Sequence, residues 1–331
     1  MDFKQVVEQF KEKRILVIGD VMIDSYLRGN VNRISPEAPV PIVSLQKDED
    51  RLGGAANVAI NLVAMGAKAI ICSVIGDDKE GKKMINLLEE NDISSEGLIL
   101  SSSRQTTVKT RVIGNNQHLL RIDSEQTNDI TTSEEDDLVN KVKEILNQSI
   151  DAIIFEDYNK GVLTEKCIQR IIDLAKSKNV PTTVDPKHKN FFAYKNVTLF
   201  KPNLKELKEG VGMNFSFSDT ESFEKAIAIL EDKLENSISF VTLSEHGVFI
   251  KDKNNKHYIP AHIRNIADVS GAGDTVISLA TLCLTAGLSI KDIAEIANLA
   301  GGLVCEKSGV VSIDKDLLIE EVNLWGLGVR S

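Results

Sequence analysis

A chain of 331 residues with 42% hydrophobic and 27% charged residues has the composition of a globular protein that can bury a large core. Its 39 Lys and Arg against 49 Asp and Glu give a net charge of −10, which argues against a surface for nucleic acids or anionic membranes. Any anionic substrate must therefore meet a local basic pocket. Residues 1–14 are charged throughout and lack the apolar core of a signal peptide, so we expect a cytoplasmic protein.

The four cysteines lie far apart among apolar neighbours, which matches neither a disulfide framework nor the spacing of metal ligands. We expect buried, reduced thiols at Cys72, Cys167, Cys283 and Cys305. The longest uncharged run, residues 275–290, is shorter than the ~20 residues of a membrane span and predicts a buried helix.

Apolar runs of strand length alternate with segments of helical period along most of the chain. The predicted strands are residues 14–19, 69–75, 151–155, 181–185, 197–200 and 238–243. The predicted helices are residues 55–65, 81–91, 133–148, 164–178, 219–236, 274–286 and 290–308. Near-continuous apolar strands separated by helices predict an α/β fold with a mostly parallel central sheet flanked by helices on both faces.

Two segments interrupt this alternation. Residues 31–45 contain three prolines before a short apolar strand, and residues 106–122 alternate polar and apolar side chains around Gly114-Asn115-Asn116. Both segments predict antiparallel strands outside the main sheet, which would form a small β-sheet lid from residues of about 20–45 and 106–122. Because no Ser- or Pro-rich linker occurs, we predict one domain over residues 1–331, with the lid above the carboxyl ends of the parallel strands.

The segment from Asp268 to Asp274, Asp-Val-Ser-Gly-Ala-Gly-Asp, leads directly into the uncharged helix. Glycines before a helix allow a sharp turn and leave the N–H groups of residues 271–273 free to bind an anion, which the helix dipole also favours. Asp274, in the first turn, could act as a general base toward an attacking hydroxyl. The alternative is a carboxylate that only caps the helix.

Other turns of ligand-binding type follow predicted strands. Gly53 and Gly54 open a helix, where paired glycines allow a ligand close to the backbone, although tight helix packing is the alternative. Asp24 follows the first strand and could accept hydrogen bonds from sugar hydroxyls, unless it is simply solvated. Polar turns at residues 201–206 and 244–247 follow two more strands. Several such turns at one sheet edge favour a binding site there.

Three competing motifs do not fit. Residues 76–83 have the outline of a phosphate-binding P-loop, but Lys83 stands where Ser or Thr is required and acidic residues fill the loop. No GxGxxG follows the first strand, so the dinucleotide fingerprint is missing. No two of the five histidines have the spacing of metal ligands or of a catalytic triad. The histidines are His118, His188, His246, His257 and His262.

The motif Gly53-Gly54-Ala-Ala-Asn57, together with Asp268 to Asp274, resembles the two signatures of the PfkB carbohydrate kinases, in order and spacing over essentially the whole chain. The resemblance implies a ribokinase-like fold with ATP and Mg²⁺ as cofactors, and it leaves a K⁺ requirement open. Within that family, residues 19–24, 33–41, 117–123, 157–161 and 184–187 resemble the kinases of D-glycero-β-D-manno-heptose 7-phosphate.

This closer resemblance implies phosphorylation of the anomeric hydroxyl of D-glycero-β-D-manno-heptose 7-phosphate to the 1,7-bisphosphate, in ADP-heptose and lipopolysaccharide core biosynthesis. Two alternatives stay open: a kinase for another sugar or sugar phosphate, and a non-catalytic sugar or nucleotide sensor. Because the sequence after Val311 has no room for a nucleotidyltransferase domain, we expect a separate adenylyltransferase partner. We also expect a homodimer in which two lids pair and cover their exposed strands.

The resemblance also implies roles for individual residues. The catalytic base is Asp274, and the anion hole is formed by Gly271, Ala272 and Gly273. The expected ATP contacts are Asn203, Leu204, Lys205, Glu206, Ser244, Gly247 and Asn298, and Glu206 would reach the magnesium ion through water. Many family members have glycine where Ser244 stands. The expected substrate contacts are Asp24, Arg33, Gly53, Gly54, Asn57, Arg111 and Lys160.

Overall fold

The computed structural model describes residues 2–262 and 264–327. The strands in these ranges are β1 (Arg14–Gly19), β2 (Val21–Ile34), β3 (Pro41–Gly54), β4 (Lys68–Gly76), β5 (Ser94–Ser101), β6 (Val108–Gly114), β7 (Gln117–Ser124), β8 (Ala152–Glu156), β9 (Thr182–Asp185), β10 (Leu199–Phe200), β11 (Ile238–Thr242), β12 (Val248–Lys251) and β13 (Lys256–Ile259). The helices are α1 (Phe3–Phe10), α2 (Ala55–Ala64), α3 (Lys79–Glu90), α4 (Thr132–Ile145), α5 (Glu165–Ser177), α6 (Leu204–Val211), α7 (Thr220–Leu234), α8 (Ala272–Thr285), α9 (Ile290–Cys305) and α10 (Lys315–Leu324).

The main sheet has nine strands in the order β13-β12-β11-β10-β9-β8-β1-β4-β5. The pairs from β5 to β11 are parallel, and β12 and β13 extend one edge in antiparallel fashion. The predicted mostly parallel sheet is therefore confirmed. The two added edge strands follow from the short turn after β11, which cannot accommodate a helical crossover.

Helices cover both faces of this sheet because its strands are apolar on both sides. In β1, Ile15 and Val17 pack in a core with side chains of α2, α8 and α9, whereas Leu16 and Ile18 pack in a second core with α4, α5 and α7. Successive strand residues point to opposite faces, so a continuous apolar run requires two cores. Burying each of these side chains stabilises the fold by roughly 1.5–3 kcal/mol.

A second sheet of four strands, in the order β3-β2-β6-β7, forms the lid. The hairpins β2-β3 and β6-β7 are antiparallel, but β2 pairs with β6 in parallel, so the lid is a mixed sheet. Its strand β3 continues to Gly54, beyond the predicted end near residue 45, since Leu52 and Gly53 keep pairing with the buried start of β2. Asn115 and Asn116 join β6 to β7 with φ values of 51° and 64°, as a tight hairpin turn requires.

The carboxyl ends of the parallel strands meet at one edge of the main sheet, beside the lid. The strand β2 begins two residues after β1 ends, which places the base of the lid at that edge. All four cysteines are buried and unbridged. Within the described residues, no helix combines the length and the apolar character needed to cross a membrane.

Candidate active site

Asp274 lies in the first turn of α8 and is only 5% exposed. Its Oδ2 accepts a hydrogen bond from Asn57 Nδ2 at 2.6 Å, and its Oδ1 accepts one from Tyr158 Oη at 2.9 Å. Burial raises the pKa of the Asp274 carboxyl to about 6, although these two hydrogen bonds act in the opposite direction. A carboxylate with this pKa, fixed by two donors, suits a general base that works near neutral pH.

The loop before α8 is held by a second aspartate. Asp268 accepts hydrogen bonds from the backbone N–H of Ser270 at 2.9 Å and of Gly309 at 3.0 Å. Gly271 follows with a φ of 81°, in the left-handed region, and a Cβ at this position would lie 3.0 Å from Asn57 Nδ2. A glycine is therefore required both for the turn and for the close approach of Asn57.

The helix start offers fewer donors than the expected three. The Ala272 N–H donates to the Val269 carbonyl at 3.3 Å, whereas the N–H groups of Gly271 and Gly273 have no acceptor among the described residues. A Cβ at Gly273 would lie 3.7 Å from Lys201 Nζ, so a buried ammonium group stands beside the helix terminus. The helix dipole, two N–H donors and Lys201 thus converge where a phosphoryl group would be stabilised.

Three buried carboxylates form a cluster next to this point. Oxygen atoms of Glu156, Asp185 and Asp274 lie within 4.8 Å of one another. Lys201 pairs with Asp185 at 2.8 Å, but neither oxygen of Glu156, which is fully buried, has a hydrogen-bond partner in the described part of the chain. Burial and the neighbouring carboxylates raise the pKa of Glu156 well above its ordinary value. Oxygen donors of this kind fit a hard divalent cation such as Mg²⁺.

The turn between β10 and α6 contains the first group of expected ATP contacts. Asn203 caps α6 and exchanges hydrogen bonds with Glu206, whose other oxygen accepts from Lys187 Nζ at 2.9 Å. Leu204 and Lys205 occupy the first turn of the same helix. Both oxygens of Glu206 therefore accept hydrogen bonds from protein donors. Lys187 lies between Glu206 and Asp185 of the carboxylate cluster.

The remaining expected ATP contacts continue along the same edge. Asn203 forms an isolated parallel bridge with Thr242, which brings the turn after β11 beside α6. In that turn Ser244 has a φ of 55° and Gly247 a φ of 89°, and a Cβ at Gly247 would overlap the Ile259 carbonyl oxygen. Asn298 on α9 donates to the Pro260 carbonyl at 2.9 Å. Gly247 and Asn298 thus both lie against Pro260.

Most of the expected substrate contacts meet around Asp24 and the start of α2. Asp24 on β2 is buried and accepts a hydrogen bond from Arg111 on β6. Gly53 approaches Asp24 so closely that a Cβ there would lie 2.4 Å from Asp24 Oδ2, and Gly54 has a φ of 60°. Because Gly54 precedes α2, Asn57 in the first turn of that helix reaches Asp274.

Two expected substrate contacts lie apart from this group. Arg33 is exposed near the distal end of β2, where it pairs with Ile42. Lys160 forms an ion pair with Glu125 at 2.7 Å, while its backbone N–H donates to Asp20. The structure therefore brings Arg111 to the site, but it brings neither the Arg33 side chain nor the Lys160 ammonium group to Asp274.

Sequence reasoning assigned no individual role to several residues that surround Asp274. Each of them ends a predicted strand or follows one within three residues, so a systematic reading of polar side chains at strand ends could have found them. They are Glu156, Tyr158, Asp185, Lys187 and Lys201.

Comparisons with known proteins identify the family of this chain. The model of the pfkB family carbohydrate kinase matches residues 12–316. The bifunctional protein HldE of Helicobacter pylori (strain HPAG1) is 39% identical over 309 residues, which are 93% of this chain and 66% of that protein. HldE of Helicobacter hepaticus (strain ATCC 51449 / 3B1) is 40% identical over 299 residues, which are 90% of this chain and 61% of that protein. The chain thus spans less than two thirds of the length of these relatives.

Solved structures show the same fold at low sequence identity. Phosphofructokinase-2 from Escherichia coli in complex with potassium has a TM-score of 0.77 and 17% identity, covering 95% of this chain and 98% of that chain. Arabidopsis thaliana ribokinase complexed with ribose and ATP has a TM-score of 0.71 and 15% identity, covering 93% and 99%. The fold is therefore ribokinase-like, and the chain belongs to the pfkB family of carbohydrate kinases.

Proposed function

We propose that this chain transfers the γ-phosphoryl group of ATP to the anomeric hydroxyl of D-glycero-β-D-manno-heptose 7-phosphate. The observation that carries the phosphotransfer is the buried Asp274 carboxylate, held by Asn57 and Tyr158 at the start of α8. The heptose phosphate as acceptor is supported by the sequence resemblance and by the HldE relatives at about 39% identity. The product would be the 1,7-bisphosphate, an intermediate of ADP-heptose and lipopolysaccharide core synthesis.

In this proposal Asp274 accepts the proton of the attacking hydroxyl, while the new O–P bond forms and the bond from the γ-phosphorus to the bridging oxygen of ATP breaks. Asn57 and Tyr158 orient the carboxylate so that one oxygen lone pair faces the acceptor. The N–H groups of Gly271 and Gly273 and the Lys201 ammonium group stabilise charge on the phosphoryl oxygens. Two such donors contribute on the order of a hundredfold or more in rate each.

The magnesium ion of MgATP would neutralise phosphate charge, and the residues that fit it are Glu156 and Asp185, with Glu206 acting through water. Glu156 is the best candidate because its buried carboxylate has no protein donor in the described residues. A potassium requirement is a further candidate, since the phosphofructokinase-2 structure contains that ion. Exchange of K⁺ for Na⁺ in the assay tests this directly.

The test of the proposed reaction is ADP release with MgATP and heptose 7-phosphate, ribose, fructose or fructose 6-phosphate, for the wild type and Asp274→Asn. Turnover with the heptose phosphate alone, lost in the variant, supports both acceptor and base. Turnover with another acceptor would replace the heptose assignment by the second candidate, a kinase for another sugar or sugar phosphate. Ligand binding without ADP release in any mixture would favour the sensor.

We also propose that two copies of the chain pair through the lid. On the face of the lid that bears Leu27 and Val112, three distal side chains are strongly exposed: Leu45 at 57%, Leu120 at 58% and Ile122 at 48%. Apolar side chains next to open strand edges favour pairing with a second copy. Light scattering should report a dimer that Leu120→Glu converts to a monomer. The matched control is Leu324→Glu, at a residue exposed at 76% on α10; a monomeric wild type would refute the proposal.

A further inference from the structure

The two faces of the lid differ in charge. Alternate residues Asp24, Tyr26 and Arg28 of β2 lie on one face, and the strand register places Arg51 of β3 opposite Asp24 and Arg111 of β6 opposite Tyr26. Residues that pair across strands share a face, so this one carries four arginines: Arg28, Arg51, Arg111 and, opposite Arg111 on β7, Arg121. Arg121 pairs with Asp123, and the other three lie around Tyr26. In a protein with a net charge of −10, such a concentration of positive charge calls for a specific explanation.

The three guanidinium groups surround a single aromatic ring. The carbon atoms at their centres lie 5.5 Å (Arg28), 5.1 Å (Arg51) and 5.2 Å (Arg111) from the centroid of the Tyr26 ring. Tyr26 is itself buried, with 3% exposure, so it is a rigid platform rather than a mobile surface side chain. Cation–π contacts of this kind hold guanidinium groups in place while their N–H donors remain available.

Carboxylates neutralise only part of this cluster. Arg111 pairs with Asp24, and Arg51 pairs with Glu49 at 2.6 Å, but Arg28 has no ion-pair partner among the described residues. Glu49 also accepts Lys47, so its charge is shared. Arg28 is therefore the arginine around Tyr26 whose charge no carboxylate of the described residues balances.

Val310 connects the arginine cluster to the turn before α8. Arg51 Nη1 donates to the Val310 carbonyl at 3.0 Å, and a Cβ at Gly271 would lie 3.3 Å from the Val310 side chain. Asp24, the candidate contact for sugar hydroxyls, lies between Arg111 and Gly53. An acceptor that presents a hydroxyl to Asp274 and lies along Asp24 would therefore direct its far end toward the arginines.

We propose that Arg28, Arg51 and Arg111 form a site for a phosphate group on the acceptor, remote from the hydroxyl that is phosphorylated, and that this site selects phosphorylated over neutral sugars. The proposal rests on the proposed function, since it assumes a sugar acceptor at Asp274. Guanidinium groups match the geometry of phosphate oxygens with paired N–H donors. The phosphates of ATP do not require this site, because the proposed function places them at the start of α8 beside Lys201.

The test compares pairs of acceptors that differ only in the phosphate: heptose 7-phosphate with heptose, and fructose 6-phosphate with fructose. Arg28→Gln is the main variant because Arg28 has no ion-pair partner in the described residues, so its removal strands no carboxylate. Arg14→Gln, at the amino end of β1 and so at the edge of the main sheet opposite the site, is the matched control, because its side chain donates to Gln148 and to no carboxylate among the described residues. Arg51→Gln is a second variant, with a thermal melt to establish that the segment around Val310 is still folded.

We expect Arg28→Gln and Arg51→Gln to raise the KM of the phosphorylated acceptor at least about tenfold, as expected for a lost charge-assisted hydrogen bond. The KM of ATP and the kcat/KM of the neutral acceptor should not change, and Arg14→Gln should change none of these values. Equal losses on both members of a pair, or no loss on the phosphorylated member, would overturn the proposal.

Calorimetric titration of each acceptor separates this proposal from the proposed function. If heptose 7-phosphate binds without being turned over, the proposed reaction fails, but tighter binding than heptose, reduced by Arg28→Gln, still supports the phosphate site. If fructose 6-phosphate is the substrate, the heptose assignment fails and the same comparison applies to that pair. The phosphate site is refuted if neither phosphorylated sugar binds more tightly than its neutral counterpart.

Discussion

The main sheet and the lid are both β-sheets, yet they are stabilised in different ways. In the main sheet, side chains such as Leu16 are completely buried between strands and helices, whereas the exposed half of the lid presents Leu120 at 58% exposure and the opposite face presents arginines. The first arrangement buries the Asp274 carboxylate at the start of a packed helix. The second leaves apolar and positively charged side chains wholly or partly exposed, where we propose that a partner copy and the acceptor bind. In these proposals, catalysis and acceptor choice depend on different sheets.

The strongest test of this division is Asp274→Asn. We expect kcat to fall by about 10²–10⁴-fold, because a neutral amide cannot accept the proton. The folded-state pKa of about 6 lies above the ordinary value of 3.8, so ionised Asp274 lowers stability at pH 7, and the variant should melt no lower than the wild type. Single-turnover ADP release and a thermal melt measure the two effects. A retained kcat with a lower melting temperature would mean that Asp274 stabilises the fold and does not act in catalysis.

A matched pair of leucines compares the two sheets directly. Leu16→Ala in the main sheet should lower the free energy of unfolding by about 2–5 kcal/mol, since it opens a cavity in a core that packs on both sides. Leu120→Ala in the lid should change it by less than about 0.5 kcal/mol in dilute, monomeric protein. Urea denaturation measures both. A large loss at Leu120 would show that the lid is part of the same cooperative core.

The pH dependence of catalysis should be set by Asp274 on α8, which packs on the main sheet, and not by residues of the lid. With a pKa of about 6, Asp274 is ionised above that pH, so kcat/KM should fall as the pH drops below about 6. Asn57→Ala removes a hydrogen bond that lowers this pKa, and the acid limb should therefore move to higher pH. Profiles from pH 5 to 8 test both points, with Arg14→Gln as the control. If the acid limb of Asn57→Ala lies at the same pH as that of the wild type, the group that titrates is not Asp274.

The sequence alone predicted those parts of the structure that produce a local pattern of residue types. Strands such as β1 and β4 were predicted from continuous apolar runs, and the turn from Asp268 to Asp274 from its glycines. The parallel pairing of β2 with β6 could not be predicted, because it joins segments about 80 residues apart and leaves no periodic signal. For the same reason, the meeting of Glu156, Asp185 and Lys201 around Asp274 depends on strand order.

The candidate residues for acceptor recognition were the hardest part of the site to predict from the sequence. Arg111 was expected to contact the substrate, but Arg28 and Arg51 became candidates only when the strand register placed them around Tyr26. Arg33 was expected on the same grounds as Arg111, yet it lies at the far end of the long β2 strand. Residue type identifies a potential phosphate contact, whereas position along a strand decides whether it can reach the acceptor.

The smallest predicted effect tests whether the lid opens as a separate unit. Asn116 in the β6-β7 turn and Asn179 after α5 both have positive φ, at 64° and 54°, so glycine should relieve each position by less than about 1 kcal/mol. If the lid opens alone, Asn116→Gly should slow hydrogen exchange of the β6 and β7 amides, whereas Asn179→Gly, in the main body, should leave the exchange of these lid amides unchanged. Asn179→Gly should slow only the core amides that exchange through global unfolding. Slower exchange of the β6 and β7 amides in Asn179→Gly as well would mean that the two sheets unfold together, and lid opening would then require opening of the core.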